Sequence, residues 1–261
     1  MERQTALITG ASADIGRSLA EQFGRHGYDL ILVARRAPLL DDLSAQLSRA
    51  HGVAVRVVAV DLSDSDGPRL VEEAVARENL HVDVLVNNAG FGLQGWIAEL
   101  PVERQIEMIQ LNVTALTELT RRFLPGMLRR NRGGVLNVGS TAAFQAGPLM
   151  AVYYATKAYV LSFTEALAGE VAASNLRISC LAPGPTSSEF AAIAGMTKSN
   201  LFKAQAMDSE EVARFGYDAW ARGKLIAVPG LFNRLAAHSV RFAPRAMVRR
   251  VIMRLNTVQP Q

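Results

Sequence analysis

The sequence predicts an α/β fold in which one doubly wound, seven-stranded parallel sheet carries helices on both faces. Two observations point to it. Short runs rich in Val, Ile and Leu recur along the 261 residues, separated by segments of helical pattern, and strands buried on both faces read in this way. A glycine-bearing turn, Gly10 to Gly16, follows the first of these runs directly and opens a helix. No internal repeat or low-complexity linker divides the chain, so residues 1–261 are expected to form a single domain.

Taken in order, strands are expected over Ala6 to Thr9, Asp29 to Ala34, Ala54 to Ala59, Val82 to Asn87, Gly134 to Val138, Arg177 to Leu181 and near Leu225 to Val228. Each is a short aliphatic run bounded by polar or turn-forming residues. The intervening helices should begin near Ile15, Leu39, Gly67, Glu103, Thr114 and Tyr153. Ser209-Glu210-Glu211 has the composition of a capped start, with acidic residues in the first turn. The stretch 184–223 departs from the alternation. It follows Pro183-Gly184-Pro185 and carries Phe190, Ile193, Met196, Leu201, Phe202 and Met207 among small and polar residues. Such a segment suits a lid over a substrate site, and equally a pair of helices packed on the sheet edge; the two are compatible.

A hydrophobic content of 49% is enough for a substantial core. No apolar run reaches the roughly 20 residues of a membrane span, and the N-terminus leads straight into a strand, so a cytoplasmic protein is expected. Cys180 is the only cysteine, which excludes an intrachain disulfide and a thiolate cluster and suits a small core residue. His26, His51, His81 and His238 are scattered without ligand spacing, so no metal is expected. The net charge of +4 is concentrated at one end, which argues against nucleic-acid binding. From Gly230 onward there are six arginines and no acidic residue, interleaved with Leu, Phe, Val, Ile and Met. Residues 230–261 therefore form a basic amphipathic segment. Two roles fit it: packing its apolar face on the domain or a partner subunit, or contact with an anionic membrane surface.

Tyr153 and Lys157 lie four residues apart, and on a helix this spacing puts both on one face. A tyrosine ordinarily titrates near ~10; an adjacent ammonium favours the phenolate and should bring it toward a useful range for proton transfer. Ser140, thirteen residues before Tyr153 and at the end of a strand, can hydrogen-bond a reacting oxygen. The same Tyr and Lys spacing also fits an ordinary amphipathic surface, so its weight depends on the rest of the chain.

That weight comes from Thr9-Gly10-Ala11-Ser12-Ala13-Asp14-Ile15-Gly16-Arg17, placed where backbone N–H groups and a helix dipole would meet a pyrophosphate. Here the chain resembles the short-chain dehydrogenase/reductase family, from Thr5 to about Val228, and the resemblance implies a Rossmann-type fold. Gly10 and Gly16 match its glycine motif, with Ser12 and Ile15 between them, but Asp14 replaces the middle glycine. Aspartate tolerates left-handed backbone angles and favours helix starts, so Asp14 is expected to cap the helix and cofactor binding to survive. Asp61 and Leu62 are similar to the family's adenine-contacting pair, and Asn87-Asn88-Ala89-Gly90 to the element that supports the sheet and lines the cofactor. Asn112 matches the asparagine that the family uses to hold a water in a proton relay. Ser140, Tyr153 and Lys157 complete the implied catalytic tetrad. Pro183-Gly184-Pro185-Thr186-Ser187-Ser188 resembles the nicotinamide-contacting segment, with Ser188 where threonine is common.

The second strand ends in Arg35-Arg36 without a carboxylate, so a 2′-phosphate would be attracted rather than repelled and NADP(H) is favoured over NAD(H). Solvation of both arginines at the next helix start is the alternative, and Arg17 is a further basic residue nearby. The resemblance implies an oxidoreductase that interconverts a carbonyl and an alcohol, and a homo-oligomer. Phe91, Trp96, Phe144, Leu149 and Met150 follow strands and suggest a lipophilic substrate. Two other readings stay open: a dinucleotide-binding regulatory protein with little turnover, and a membrane-peripheral reductase.

Overall fold

The computed structural model describes residues 3–186, 189 and 206–257. Seven parallel strands form one sheet in the order β3-β2-β1-β4-β5-β6-β7. They are β1 (Thr5–Thr9), β2 (Asp29–Ala34), β3 (Val55–Ala59), β4 (Val84–Asn87), β5 (Gly134–Val138), β6 (Arg177–Leu181) and β7 (Ile226–Ala227). The helices are α1 (Asp14–Arg25), α2 (Ala37–His51), α3 (Gly67–Arg77), α4 (Val102–Ile109), α5 (Leu116–Arg130), α6 (Ala151–Glu170), α7 (Ser209–Ala221), α8 (Leu231–Ser239) and α9 (Arg245–Asn256).

Side chains alternate across the strands and so build two cores. Ala6, Ile8, Leu30 and Leu32 face one side, against Leu19 and Phe23 of α1, Leu40 of α2, and Val212 and Trp220 of α7. Leu7, Ile31, Leu85 and Val135 face the other, against Val71 of α3, Phe123 and Met127 of α5 and Leu167 of α6. Burying each such large apolar side chain contributes about 1.5–3 kcal/mol. The α1–α7 seam is aromatic: Phe23 meets Tyr217 edge-on at 5.0 Å between ring centres. Cys180 is fully buried among apolar neighbours.

Two local expectations change. No new helix starts at Thr114. A π-helical turn, Gln110–Ala115, joins α4 to α5 without a break, and Asn112 sits within it. The cap of α7 is Asp208, whose carboxylate accepts from the backbone N–H groups of Glu210 and Glu211 at 2.8 and 3.3 Å. Of the expected lid, Phe190, Ile193, Met196, Leu201 and Phe202 lie outside the described residues. The flanking residues Thr186 and Met207 pair with each other.

Because β1 pairs with both β2 and β4, the strand order reverses at β1. The loops after β1 and β4 diverge there, leaving a crevice at the carboxyl ends of the strands.

Candidate active site

The loop after β1 is held by its neighbour across the crevice. The Thr9 hydroxyl accepts from the backbone N–H groups of Asn88 and Ala89, both at 3.0 Å, and the Asn88 amide donates to the carbonyls of Thr9 and Gly10. Gly10 has φ +66°, and a Cβ at Gly16 would lie 2.2 Å from the Gly10 carbonyl oxygen. Only glycine allows α1 to begin this close to the strand. Ala13, which precedes α1, provides no side-chain cap. The resulting cradle of backbone at a helix N-terminus fits a dinucleotide's phosphates.

Asp14 does not cap α1. It sits inside the helix start at φ +50°, in the left-handed conformation that a glycine would adopt there. Its carboxylate accepts from the backbone N–H of Glu189 at 3.0 Å. The chain thus retains a glycine-like backbone with an added negative charge on the rim. Replacing Asp14 by Gly should relieve about 1 kcal/mol of backbone strain and tighten nicotinamide-dinucleotide binding several-fold. Fluorescence titration beside a melting curve checks this.

Gly10, Ser12, Asp14, Ile15, Gly16 and Arg36 line one half of the cleft. Asn88, Ala89, Gly90, Pro183, Gly184 and Thr186 line the middle, and Ser140, Tyr153 and Lys157 the far end. Ser188 lies outside the described residues. Arg35, Asp61 and Leu62 do not line the cleft. Arg35 turns toward Asp61 at 3.5 Å and Glu107 at 4.0 Å. Burial pushes the Asp61 carboxyl up, but hydrogen bonds from Ser63 and the Arg35 charge outweigh it and hold the group below its ordinary value. Leu62 is buried in the core. Arg17 donates to Gln46 on α2 rather than reaching the cleft. Arg36 is the arginine that faces the cleft; it donates to the Ser12 hydroxyl at 3.1 Å and pairs with Glu189 at 3.0 Å.

At the other end, Ser140 lies two residues past β5 and caps a short 3-10 turn, Thr141–Phe144, by accepting from Ala142 N–H at 3.1 Å. The Tyr153 hydroxyl hydrogen-bonds Ser140. Lys157, one turn on along α6, donates to the Val138 carbonyl at 2.8 Å, and its Nζ lies 5.9 Å from the Tyr153 ring centre. The expected lowering of the tyrosine pKa does not occur in this state. Burial raises Tyr153 above its ordinary value, and the Ser140 hydrogen bond offsets only part of that rise. The same burial pushes Lys157 down to about 8. Desolvation dominates both groups: only the Ser140 hydrogen bond opposes it at Tyr153, and among the described residues no carboxylate beside Lys157 holds its charge.

Asn112 stands behind this end rather than in the cleft. Its oxygen accepts from Phe91 N–H at 3.1 Å, and its amide donates to the Phe91 carbonyl and to the Thr156 hydroxyl. It therefore braces the loop after β4 against α6. A buried ladder lies deeper: the Asn87 amide donates to Asn137 and Thr120, and the Asn137 amide to Thr164. It couples β4 and β5 to α5 and α6.

Sequence reasoning missed Asn256. This residue is 1% exposed. Its amide donates to the Pro148 carbonyl at 2.9 Å, its side-chain oxygen lies 3.5 Å from the Tyr154 hydroxyl, and its backbone carbonyl accepts from Gln94. It anchors α9 next to Tyr153, yet an asparagine near a chain end carries no sequence signal for this. Asn256→Ala should lower stability by about 1–3 kcal/mol by orphaning the Pro148 carbonyl and the Tyr154 hydroxyl, which urea denaturation would measure.

The family model for short chain dehydrogenases matches residues 4–198. The chain belongs to this family. It is accordingly an oxidoreductase of a family that binds a nicotinamide cofactor and acts on small molecules. It is 34% identical over 195 residues to an NADP-dependent 3-hydroxy acid dehydrogenase of Schizosaccharomyces pombe, covering 74% of this chain and 75% of that relative. It is also 34% identical over 175 residues to a very-long-chain 3-oxoacyl-CoA reductase of Laccaria bicolor, covering 66% of this chain but only 52% of the relative. The chain thus spans about half the length of that reductase. Among solved structures, a short-chain dehydrogenase from Sphingobium yanoikuyae in complex with NADPH superposes with a TM-score of 0.83 at 32% identity, covering 94% of this chain and 95% of the other. A bulky-bulky ketone specific alcohol dehydrogenase from Comamonas testosteroni superposes with a TM-score of 0.77 at 27% identity, covering 94% and 96%.

Proposed function

We propose that the chain is an NADP(H)-dependent reductase that interconverts a ketone or aldehyde on a lipophilic substrate with the corresponding alcohol. The observation that carries this reading is one cleft with Arg36 at one end and half-buried Ser140 with buried Tyr153 and Lys157 at the other. Gly10, Gly16, Asn88 and Gly90 would cradle the cofactor between them, with Arg36 near its 2′-phosphate. Bound nicotinamide supplies the hydride in reduction and accepts it in oxidation. In reduction, the Tyr153 hydroxyl donates its proton to the substrate oxygen. Its raised pKa keeps that proton in place until negative charge develops on the oxygen. Ser140 orients the same oxygen and hydrogen-bonds the charge as it forms. Lys157 holds a positive charge beside the phenol and would bind the nicotinamide ribose. Asn112 fixes the loop after β4 against α6, and with it the distance between these groups.

The lipophilic substrate is supported by the walls. Phe91, Met150 and Tyr154 pack beside Tyr153, and Met150 also borders an apolar hollow of 210 Å³ lined by Leu93, Trp96, Ile97, Leu100 and Leu149. Relatives named for 3-oxoacyl-CoA, 3-hydroxy acid and bulky ketone substrates agree with a carbonyl flanked by apolar chain. The test is NADPH oxidation against a panel of ketones, aldehydes and 3-oxo thioesters of graded chain length. The reading predicts turnover that improves with apolar length. Binding of NADPH without turnover of any member would overturn it.

A further inference from the structure

We propose that α8, α9 and the turn between them form a docking face for an anionic lipid bilayer, beside the mouth of the cleft. The inference stands apart from the substrate reading and rests on what these two helices leave uncovered. Leu231, Phe232 and Leu235 on α8, Phe242 in the turn, and Met247 and Val251 on α9 are all exposed, Phe242 to 90%. Leu231 with Leu235, and Met247 with Val251, are one turn apart and so lie on common stripes. Six large apolar side chains on adjacent elements exceed the scattered exposure of an ordinary surface.

The charge beside these stripes selects the occupant: Arg234 follows Leu231 by three residues, Arg250 follows Met247 and Arg254 follows Val251, so each lies on the apolar side of its helix, whereas Arg245 and Arg249 lie on the other side of α9. Arg234, Arg241, Arg245, Arg249, Arg250 and Arg254 are exposed, and among the described residues none forms an ion pair. Arg241, Arg245 and Arg249 border an open groove floored by Ala143, Ala151, Ala155 and Ala158. An apolar surface interleaved with uncompensated arginines complements an amphiphile with acidic headgroups, since apolar side chains enter the acyl boundary while guanidinium groups meet phosphate. A second copy of the chain suits it poorly. Residues from Gly230 onward hold no carboxylate, so pairing the face with itself would oppose Arg234, Arg250 and Arg254 to one another. Among the described residues no helix is long and apolar enough to cross a membrane.

The face is joined to the cleft rim. Asn233 of α8 packs where a Cβ on Gly184 would stand, 2.6 Å from its amide, and Asn256 of α9 holds Pro148 and Tyr154. A docked bilayer would lie next to the opening, where a lipophilic substrate partitions.

Sedimentation of the full chain with phosphatidylcholine vesicles, with and without phosphatidylglycerol, tests the proposal. Binding is expected only with the anionic lipid and should fall as salt is raised. Neutralising three charges together (Arg234→Gln, Arg250→Gln, Arg254→Gln) should weaken it by on the order of 100-fold. Leu235→Ser with Phe242→Ser should reduce it as well. Circular dichroism controls for folding, and the salt dependence of the unmodified protein needs no variant. Absence of binding, equal binding to neutral vesicles, or indifference to salt would overturn the proposal. So would loss of a dimer in these variants, seen by light scattering, in a protein that does not bind vesicles; the face would then belong to a second copy.

Discussion

Tyr153→Phe should reduce carbonyl turnover by about 10²–10⁴-fold while leaving NADPH affinity within about twofold. The phenylalanine keeps the ring that packs against Tyr154 and Met150 and removes only the hydroxyl that meets Ser140. Lost turnover with retained cofactor assigns the proton to that hydroxyl; turnover within tenfold of the unmodified protein removes Tyr153 from the chemistry. Fluorescence titration and single-turnover rates separate the two quantities. The pH profile adds a sign. Burial places Lys157 at about 8, so the reductive kcat/KM should decline as pH rises through that value and the ammonium is lost. Tyr153, raised above its ordinary value, stays protonated over that range and sets no limb there. Oxidation needs the phenolate and should gain with pH wherever Lys157 remains charged.

Arg36→Ala should weaken NADPH binding by about 10–100-fold and leave NADH nearly unchanged, because a charge-assisted bond to the 2′-phosphate is worth about 1.5–3 kcal/mol. Arg35→Ala should leave both within about threefold, since Arg35 already faces Asp61 and Glu107. Glu189 competes with the phosphate for Arg36. Their pair is half exposed and worth at most about 1 kcal/mol, so Glu189→Gln should tighten NADPH by less than about fivefold. Equal loss of NADPH and NADH in Arg36→Ala would show that Arg36 supports the loop through Ser12 rather than reading the 2′-phosphate.

Local signals carried the elements and the order of motifs. The seven strands were legible because a strand buried on both faces must be aliphatic throughout, and Ile31-Leu32-Val33 or Val84-Leu85-Val86 has few other uses. Tyr153 and Lys157 were legible because their relation is one helical turn, which sequence spacing states directly. Asp14 was half legible: its left-handed backbone was anticipated, but its carboxylate goes to Glu189, a residue 175 positions away, rather than to a cap. The continuity of the helix through Thr114 was not legible, since a π-helical turn needs no residue of distinctive type.

The sequence by itself determined the alternation of strand and helix, the glycine cradle and the placing of Tyr153 and Lys157 on one helix face, each of which depends on neighbours within a turn or a loop. Tertiary structure alone decided the rest. It turned Arg36 rather than the adjacent Arg35 to the cleft, reversed the direction of the Tyr153 shift through burial, and brought Asn256 to Tyr154 across 102 residues. The physical reason is common to all three. Desolvation, side-chain direction and long-range hydrogen bonds depend on what the fold packs around a group, and no spacing along the chain encodes that packing.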